Sequence, residues 1–503
     1  MFNRYLRKDI LLAFFIFVLL LINRIFITCR IFYKPSFDSQ TLLLWEYVSK
    51  KGMLPVRDIF YPYGFFSFFR DSSLLLRSFE LVLLSFLFTV IYVFLKKINK
   101  NSIFTLLTLT LFVLLIYRNV GIEIFIRYGT TLVFIMACSY LLYKNALFNK
   151  SYSFILGSLT TLIYFFFHDQ TYYMVVLYFA LFILNTLDDL SLKKLNLKSL
   201  RTKLSGLIYY LSGAVIGTLP FFIFIFRNKI PNYFLAQLEE MASIPIYSKT
   251  PYLSNFRHLD TIFLVTALSI SIGIIWYKRF EKKQNLLLND YFMVGIALYL
   301  GLLMQKSIVR SFDSSLVFLG VLLFNIFFIK TTGGFLKKYP RFALFSVFIL
   351  IEFVLIINFK PLNKLYYEAN ISEKICIEKN IQNINKYNNS YLKVAKELSG
   401  NKDSGNVFVF PSDPIFYILL DKKPGYFPSL YEMSLFGSQN KVIYELEKSN
   451  TEYVILNDDV IAVQDGVPDI IRGKNLFKYI ILNYSFYKKI DSFVILKRKA
   501  IVI

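Results

Sequence analysis

Long apolar runs alternate with short polar ones over the first 359 residues. Stretches such as "ILLAFFIFVLLLI" (10–22) and "FALFSVFILIEFVLIINF" (342–359) are apolar on every helical face, whereas a helix at a water-exposed surface is apolar along one stripe only. Because roughly twenty such residues cross a bilayer core, the pattern predicts about eleven spans. They lie near residues 10–30, 74–95, 103–117, 130–143, 152–167, 173–187, 207–226, 260–277, 286–304, 316–330 and 342–359.

The pattern changes at Lys360, where Asn, Lys, Glu and Asp become frequent. "NVFVF" (406–410), "EYVILND" (452–458) and "SFVILKRK" (492–499) read as short buried strands, and "SQNKVIYELEKSN" (438–450) as a helix. The expected organisation is a polytopic α-helical membrane domain over 1–359, with an outer loop at 31–73. An α/β domain over 360–503 follows, of about 140 residues and long enough for its own core.

Composition supports a membrane chain, with 56% hydrophobic and 18% aromatic residues among 503. The formal charge of +24, from 57 basic and 33 acidic residues, would suggest nucleic acid if the cations formed one patch. They fall instead in the short loops "KKINKNS", "KNALFNKS", "DDLSLKKLNLKSLRTK", "KRFEKKQN" and "TTGGFLKKYPR". All of these share one side when the N-terminus is cytoplasmic, so nucleic acid is excluded as a partner and the tail is expected outside. The basic start "MFNRYLRKD" and its long apolar run read as an uncleaved anchor in a bacterial-type cell membrane. Three cysteines without ligand spacing and two histidines argue against zinc. Cys29 and Cys376 fall on the outer side by this topology.

The segment "SFDSQTLLLWEYVSKKGMLPVRDIFYPYG" (36–64) interrupts the apolar pattern early. Asp38 and Ser39 offer a helix start and Gly52 a stop. Leu42, Leu43, Trp45 and Val48 form a face expected to lie on the membrane. Asp38 is then either an N-cap, worth about 1 kcal/mol, or a functional carboxylate at the bilayer edge.

The acid after the first span, the amphipathic helix, and Gly52, Pro55, Asp58 and Pro62 in a Gly-x-x-Pro-x-x-Asp element with a following aromatic stretch carry a resemblance. This arrangement resembles the first outer loop of C-type membrane glycosyltransferases, the superfamily of protein O-mannosyltransferases and lipid A aminoarabinose transferases. The family pattern often has two adjacent acids, and here the second is Ser39. "GIEIFIRYG" with Glu123 and Arg127 is similar to a later family segment, and the tail is similar to the outer domain of bacterial members.

The resemblance implies an inverting transfer from a polyprenyl-phosphate sugar to a glycan, lipid or protein acceptor outside the membrane. Asp38 would be the base, with Asp58 and Glu123 as further acids. Arg127, Arg118, Arg57 and Arg310 are the outward cations that match a lipid phosphate. Their alternative role is headgroup anchoring, and Glu123 is equally placed to pair with Arg127 one turn away. No metal ligands are assigned, and a divalent cation is compatible with the family without being demanded by the residues. Asp313 is given no catalytic role, because the histidine that often follows it in bacterial relatives is missing.

Four further features have structural readings. Arg77 and Glu80 suit an ion pair within one helix, and "GAVIG" (213–217) suits close helix packing. His168 and Asp169 read as a short polar turn lining a cavity or without function. A transporter or flippase of lipid-linked saccharides is the rival class; it should show related halves and midplane ionisable groups, and the chain offers mainly Glu352 there, with its polar residues gathered outside.

Overall fold

A computed structural model describes residues 27–32, 37–55, 57–59, 61, 64–69, 74–99, 121–191, 196–230, 233, 235, 273, 277–281, 286–309, 365–369, 373–399, 406–410, 413–425, 436–458 and 468–500. The expected spans at 103–117, 316–330 and 342–359, most of 260–277, and residues 10–26 of the first span lie outside these.

The first part of the chain contains β1 (Ile27–Phe32), α1 (Phe37–Lys50), α2 (Phe65–Phe68), α3 (Leu74–Asn99), α4 (Gly121–Tyr143), α5 (Lys150–Tyr164), α6 (His168–Ser191), α7 (Leu197–Arg227) and α8 (Leu288–Val309). The tail contains β2 (Leu365–Ala369), α9 (Glu373–Tyr387), α10 (Ser390–Ser399), β3 (Val407–Phe410), α11 (Ile415–Leu419), α12 (Phe436–Lys448), β4 (Tyr453–Asn457), α13 (Asp469–Arg472), α14 (Lys474–Asn483), β5 (Tyr484–Ile490) and β6 (Phe493–Arg498). The chain forms two compact units. One takes in Met1–Ile22, Ser78–Phe224 and Ser254–Leu362, and the other Asn23–Arg77, Ile225–Leu253 and Asn363–Ile503.

The first unit is helical. Among the described residues, Ile126–Tyr143, His168–Leu190 and Leu197–Arg227 are long and apolar enough to cross a membrane. α4 packs against α6 and α8, and α5 against α6. The expectation of close packing at 213–217 holds. A Cβ on Gly213 would sit 2.1 Å from the carbonyl oxygen of Phe154, and one on Gly157 would sit 1.9 Å from that of Tyr210, so only glycine lets α5 and α7 approach this closely. At that contact Thr161 Oγ1 donates to the Ala214 carbonyl at 2.7 Å. The rings of Tyr178 and Tyr210 stack at 3.9 Å, and their hydroxyls donate to Ser153 and Thr160.

The second unit is built on a sheet of order β3-β4-β6-β5, with β3 and β4 parallel and the other pairs antiparallel. The three strands expected from their short apolar runs are β3, β4 and β6. Their side chains divide by the period of two into two buried faces. Val407, Val409, Tyr453, Ile455, Phe493 and Ile495 enter one core, and Phe408, Phe410, Val454 and Leu496 enter another with Val442, Leu446, Leu476 and Ile480 of α12 and α14.

Two expectations fail here. Residues 27–30, assigned to the end of the first span, form β1 together with 31–32 of the expected outer loop and pair antiparallel with β2, Ile31 opposite Tyr366 and Phe32 opposite Leu365. Ile27, Thr28 and Ile31 are β-branched and suit a strand once a partner is present. The second concerns α1. Its face does not rest on a bilayer, because Leu43, Leu44, Trp45 and Val48 are buried in the first of those cores beside Tyr391, Val394, Val409 and Ile495. Leu44 and Val48 have no exposed surface at all, which makes α1 a core helix of this unit.

Candidate functional site

Asp38 is the second residue of α1 and stands in its first helical turn. What fixes that turn lies two residues further on. The buried Gln40 donates from Nε2 to Asp413 Oδ1 at 3.4 Å and to the Tyr391 hydroxyl at 3.3 Å, and its Oε1 accepts from the amide of Ile415 at 3.4 Å. Asp413 also accepts from the Tyr391 hydroxyl, and its Oδ2 accepts from Asn457 Nδ2 at 2.8 Å. Burial pushes the Asp413 carboxyl above its ordinary range, an effect that these donors only partly offset. Burial, together with the neighbouring Asp413 charge, likewise raises the Tyr391 hydroxyl.

The other end of α1 is fixed as well. The expected stop at Gly52 is present with φ +77°, and the amides of Gly52 and Met53 bond the carbonyls of Ser49 and Val48, a glycine-terminated helix end. Tyr47 and Lys51 both donate to Asp421 Oδ1, at 2.6 and 2.8 Å.

Asp58 closes the next loop. Its Oδ2 accepts from the Leu54 amide at 2.9 Å, its own amide bonds the Leu54 carbonyl at 2.9 Å, and Arg57 donates to both carboxylate oxygens at 2.8 and 2.6 Å. Burial alone would raise this carboxyl. The Arg57 and Leu54 bonds, with the charges of Arg57 and Lys423, outweigh it and hold Asp58 below the usual carboxylate range. A carboxylate held ionised in this way is a weak base and a strong loop tie. Arg57 is engaged by Asp58 and also points Nη1 at the Asn228 carbonyl, 3.5 Å away.

Glu123 and Arg127 lie one turn apart on α4. The partner that Arg127 meets across helices is Asp169. Nε donates to both carboxylate oxygens at 3.1 Å and Nη2 to Oδ2 at 2.6 Å, with both side chains largely buried. His168 and Asp169 are therefore not a loop turn but the first turn of α6. Gln170 extends the network, donating to Asp169 Oδ2 at 3.0 Å and accepting from Thr131 of α4 at 2.8 Å and Tyr299 of α8 at 2.9 Å.

A second polar layer closes the other end of α6, where Arg279 pairs with Asp188, Nη2 to Oδ2 at 2.6 Å, and Lys203 with Asp189 at 2.7 Å. At about 1.5 Å per residue, Asp169 and Asp188 stand about 28 Å apart along α6, close to the thickness of a bilayer core.

Of the residues singled out in sequence, Asp38 and Asp58 fall in the second unit and Glu123 and Arg127 in the first. Arg118, Arg310 and Asp313 lie outside the described residues, as do Glu352 and the side chains of Asp38, Glu123, Arg77, Glu80, Cys29 and Cys376. Gln40, Asp413, Tyr391 and Gln170 are the polar residues that pattern reading passed over. Gln40 has no distinguishing neighbour in sequence, and only the buried strand before Asp413 hinted that an acid there would be enclosed. Among the described residues no group of three or more His, Cys, Asp or Glu side chains converges to hold a metal ion. The sequence matches no protein-family profile and no characterised protein.

Proposed function

We propose that this protein is a membrane glycosyltransferase that moves a sugar from a polyprenyl-phosphate donor to an acceptor hydroxyl outside the membrane, with Asp38 as general base. The reading takes its chemistry from the resemblance of 36–64 to the first outer loop of C-type glycosyltransferases. The observation that carries it is the fixing of α1. A base must be held within a fraction of an ångström of its working position, and the helix bearing Asp38 is buried along one face and tied at both ends.

In the reaction the carboxylate of Asp38 takes the proton of the acceptor hydroxyl as its oxygen bonds to the anomeric carbon from the face opposite the phosphate. The bond from that carbon to the phosphate oxygen breaks, its electron pair stays with the polyprenyl phosphate, and the anomeric configuration inverts. The departing phosphate needs cations, not an acid. Arg127 is the cation that the sequence resemblance offers for this role, and within its own unit it is held by Asp169. Asp58 orders the loop. In this reading the chain crosses the membrane about eleven times, with the N-terminus cytoplasmic and the tail unit outside.

A transporter of lipid-linked saccharides is the second reading. The network that bears on it is that of Arg127, Asp169 and Gln170, ionisable and polar groups largely buried between helices of membrane-spanning character, though it lies at one end of α6 and not at its middle.

The deciding experiment compares Asp38→Asn with Asp58→Asn at equal expression and thermal stability, using a polyprenyl-phosphate sugar as donor. General base catalysis contributes about 10²- to 10⁴-fold, so Asp38→Asn should lose that much transfer rate and Asp58→Asn much less. Transfer at the parent rate by Asp38→Asn would sink the mechanism, and lipid-linked sugar crossing vesicles without transfer would favour the transporter.

A further inference from the structure

The tail unit has no task in the reaction described above, yet it encloses the helix that carries the reacting acid. Three buried side chains and one half-buried one meet at one point of it: Gln40 from α1, Tyr391 from α10 and Asp413 from the turn after β3, with Asn457 at the end of β4. Asp413 is the hub. Its two oxygens take donors from all three of the others, and the Gln40 amide is used on both sides, since its Oε1 also accepts from Ile415. The other attachments of α1 are the bond of Tyr47 to Asp421 in its last turn and the apolar packing of Leu43, Leu44, Trp45 and Val48. Apolar packing is non-directional and leaves a helix some freedom to slide or roll, whereas hydrogen bonds fix one register. The only such bonds near the first turn, among the described residues, are those of Gln40.

We propose that Asp413 is a positioning residue for Asp38, acting through Gln40, and that this is what the tail unit contributes to the reaction. The inference rests on Asp38 being the base. The Asp413–Gln40 contact sets the rotation and axial position of the first turn of α1, two residues from Asp38. Loosening it moves the carboxylate without removing any group that meets donor or acceptor.

The test uses the full chain in nanodiscs and two separate readouts. Asp413→Leu removes the hub, Asp413→Asn keeps one acceptor oxygen, and Gln40→Leu cuts the same contact from the helix side while leaving Asp413 with Tyr391 and Asn457. Hydrogen exchange should quicken roughly 5- to 10-fold at the amides of 39–43 in Asp413→Leu and Gln40→Leu, less in Asp413→Asn. β4 and β6 should stay protected. In the transfer assay kcat should fall about 10- to 100-fold with KM for the donor unchanged. Unchanged exchange in α1 would overturn the proposal whatever the activity, and so would loss of protection throughout the tail in both leucine variants, which would make the cluster general core. Faster exchange in α1 with full activity would leave Asp413 holding the helix but remove Asp38 from the chemistry.

Discussion

Arg127 Nη2 stands 2.6 Å from Asp169 Oδ2, joining two helices 42 positions apart in sequence. The pair is largely enclosed, so each charge depends on the other for its solvation. Removing one partner from a fully buried pair costs about 3–5 kcal/mol, and partial exposure here lowers that to about 1–3 kcal/mol. Arg127→Met and Asp169→Leu should each lower the melting temperature of the detergent-solubilised protein, and the two combined should cost less than the sum of the single losses. Additive losses in this double-mutant cycle would show that the two charges are not coupled.

The fit of α5 to α7 sets a graded expectation. Gly157→Ala would drive its methyl into the Tyr210 carbonyl at 1.9 Å, whereas at Gly217 the nearest atom, the Ser158 carbonyl oxygen, lies at 3.1 Å. Overpacking costs about 1–3 kcal/mol, so Gly157→Ala should destabilise clearly and Gly217→Ala little. Thermal unfolding of both variants checks the order, and equal effects would contradict this packing.

The burial of α1 has its own consequence. Leu44→Ala should destabilise the tail unit by about 2–5 kcal/mol, the range for a fully buried leucine. The readout is faster proteolysis of the tail in intact protein. A helix lying on lipid would show no such effect.

Asp413 and Asp58 should influence stability with opposite signs. The folded Asp413 carboxyl lies above its unfolded value of 3.8 because of burial. Its proton therefore favours the fold below that value, and this contribution is lost as pH rises through the raised folded value. Asp58 lies below 3.8 when folded, since its bonds to Arg57 and Leu54 outweigh burial, and its contribution is present above that pH and lost as pH falls through the lowered folded value. Melting temperatures of the parent and of Asp413→Asn should accordingly draw apart on the acid side, with the parent gaining. Those of the parent and Asp58→Asn should draw apart toward neutral pH. Parallel profiles for all three proteins would refute the assignment.

Legibility in the sequence follows the range of the force concerned. The expected spans 130–143, 173–187 and 207–226 are apolar nearly all round each helix, so no partner needs to be known to read them as long enough and apolar enough to cross a membrane. β3, β4 and β6 announce themselves as short runs of β-branched and aromatic residues, and the end of α1 by Gly52, because backbone sterics act locally. The face Leu43, Trp45, Val48 was equally readable, but hydrophobic attraction has no direction, and sequence could not tell a bilayer from a sheet that arrives more than 350 residues later. Ile27–Phe32 likewise becomes a strand only because Leu365–Ala369 supplies its hydrogen bonds. Arg127 had an acid one turn away on its own helix, yet helix packing brings it Asp169. Gln40 and Asp413 take their importance from meeting each other in a buried place, where an unpaired polar group is costly, and that meeting exists only once the whole unit has folded.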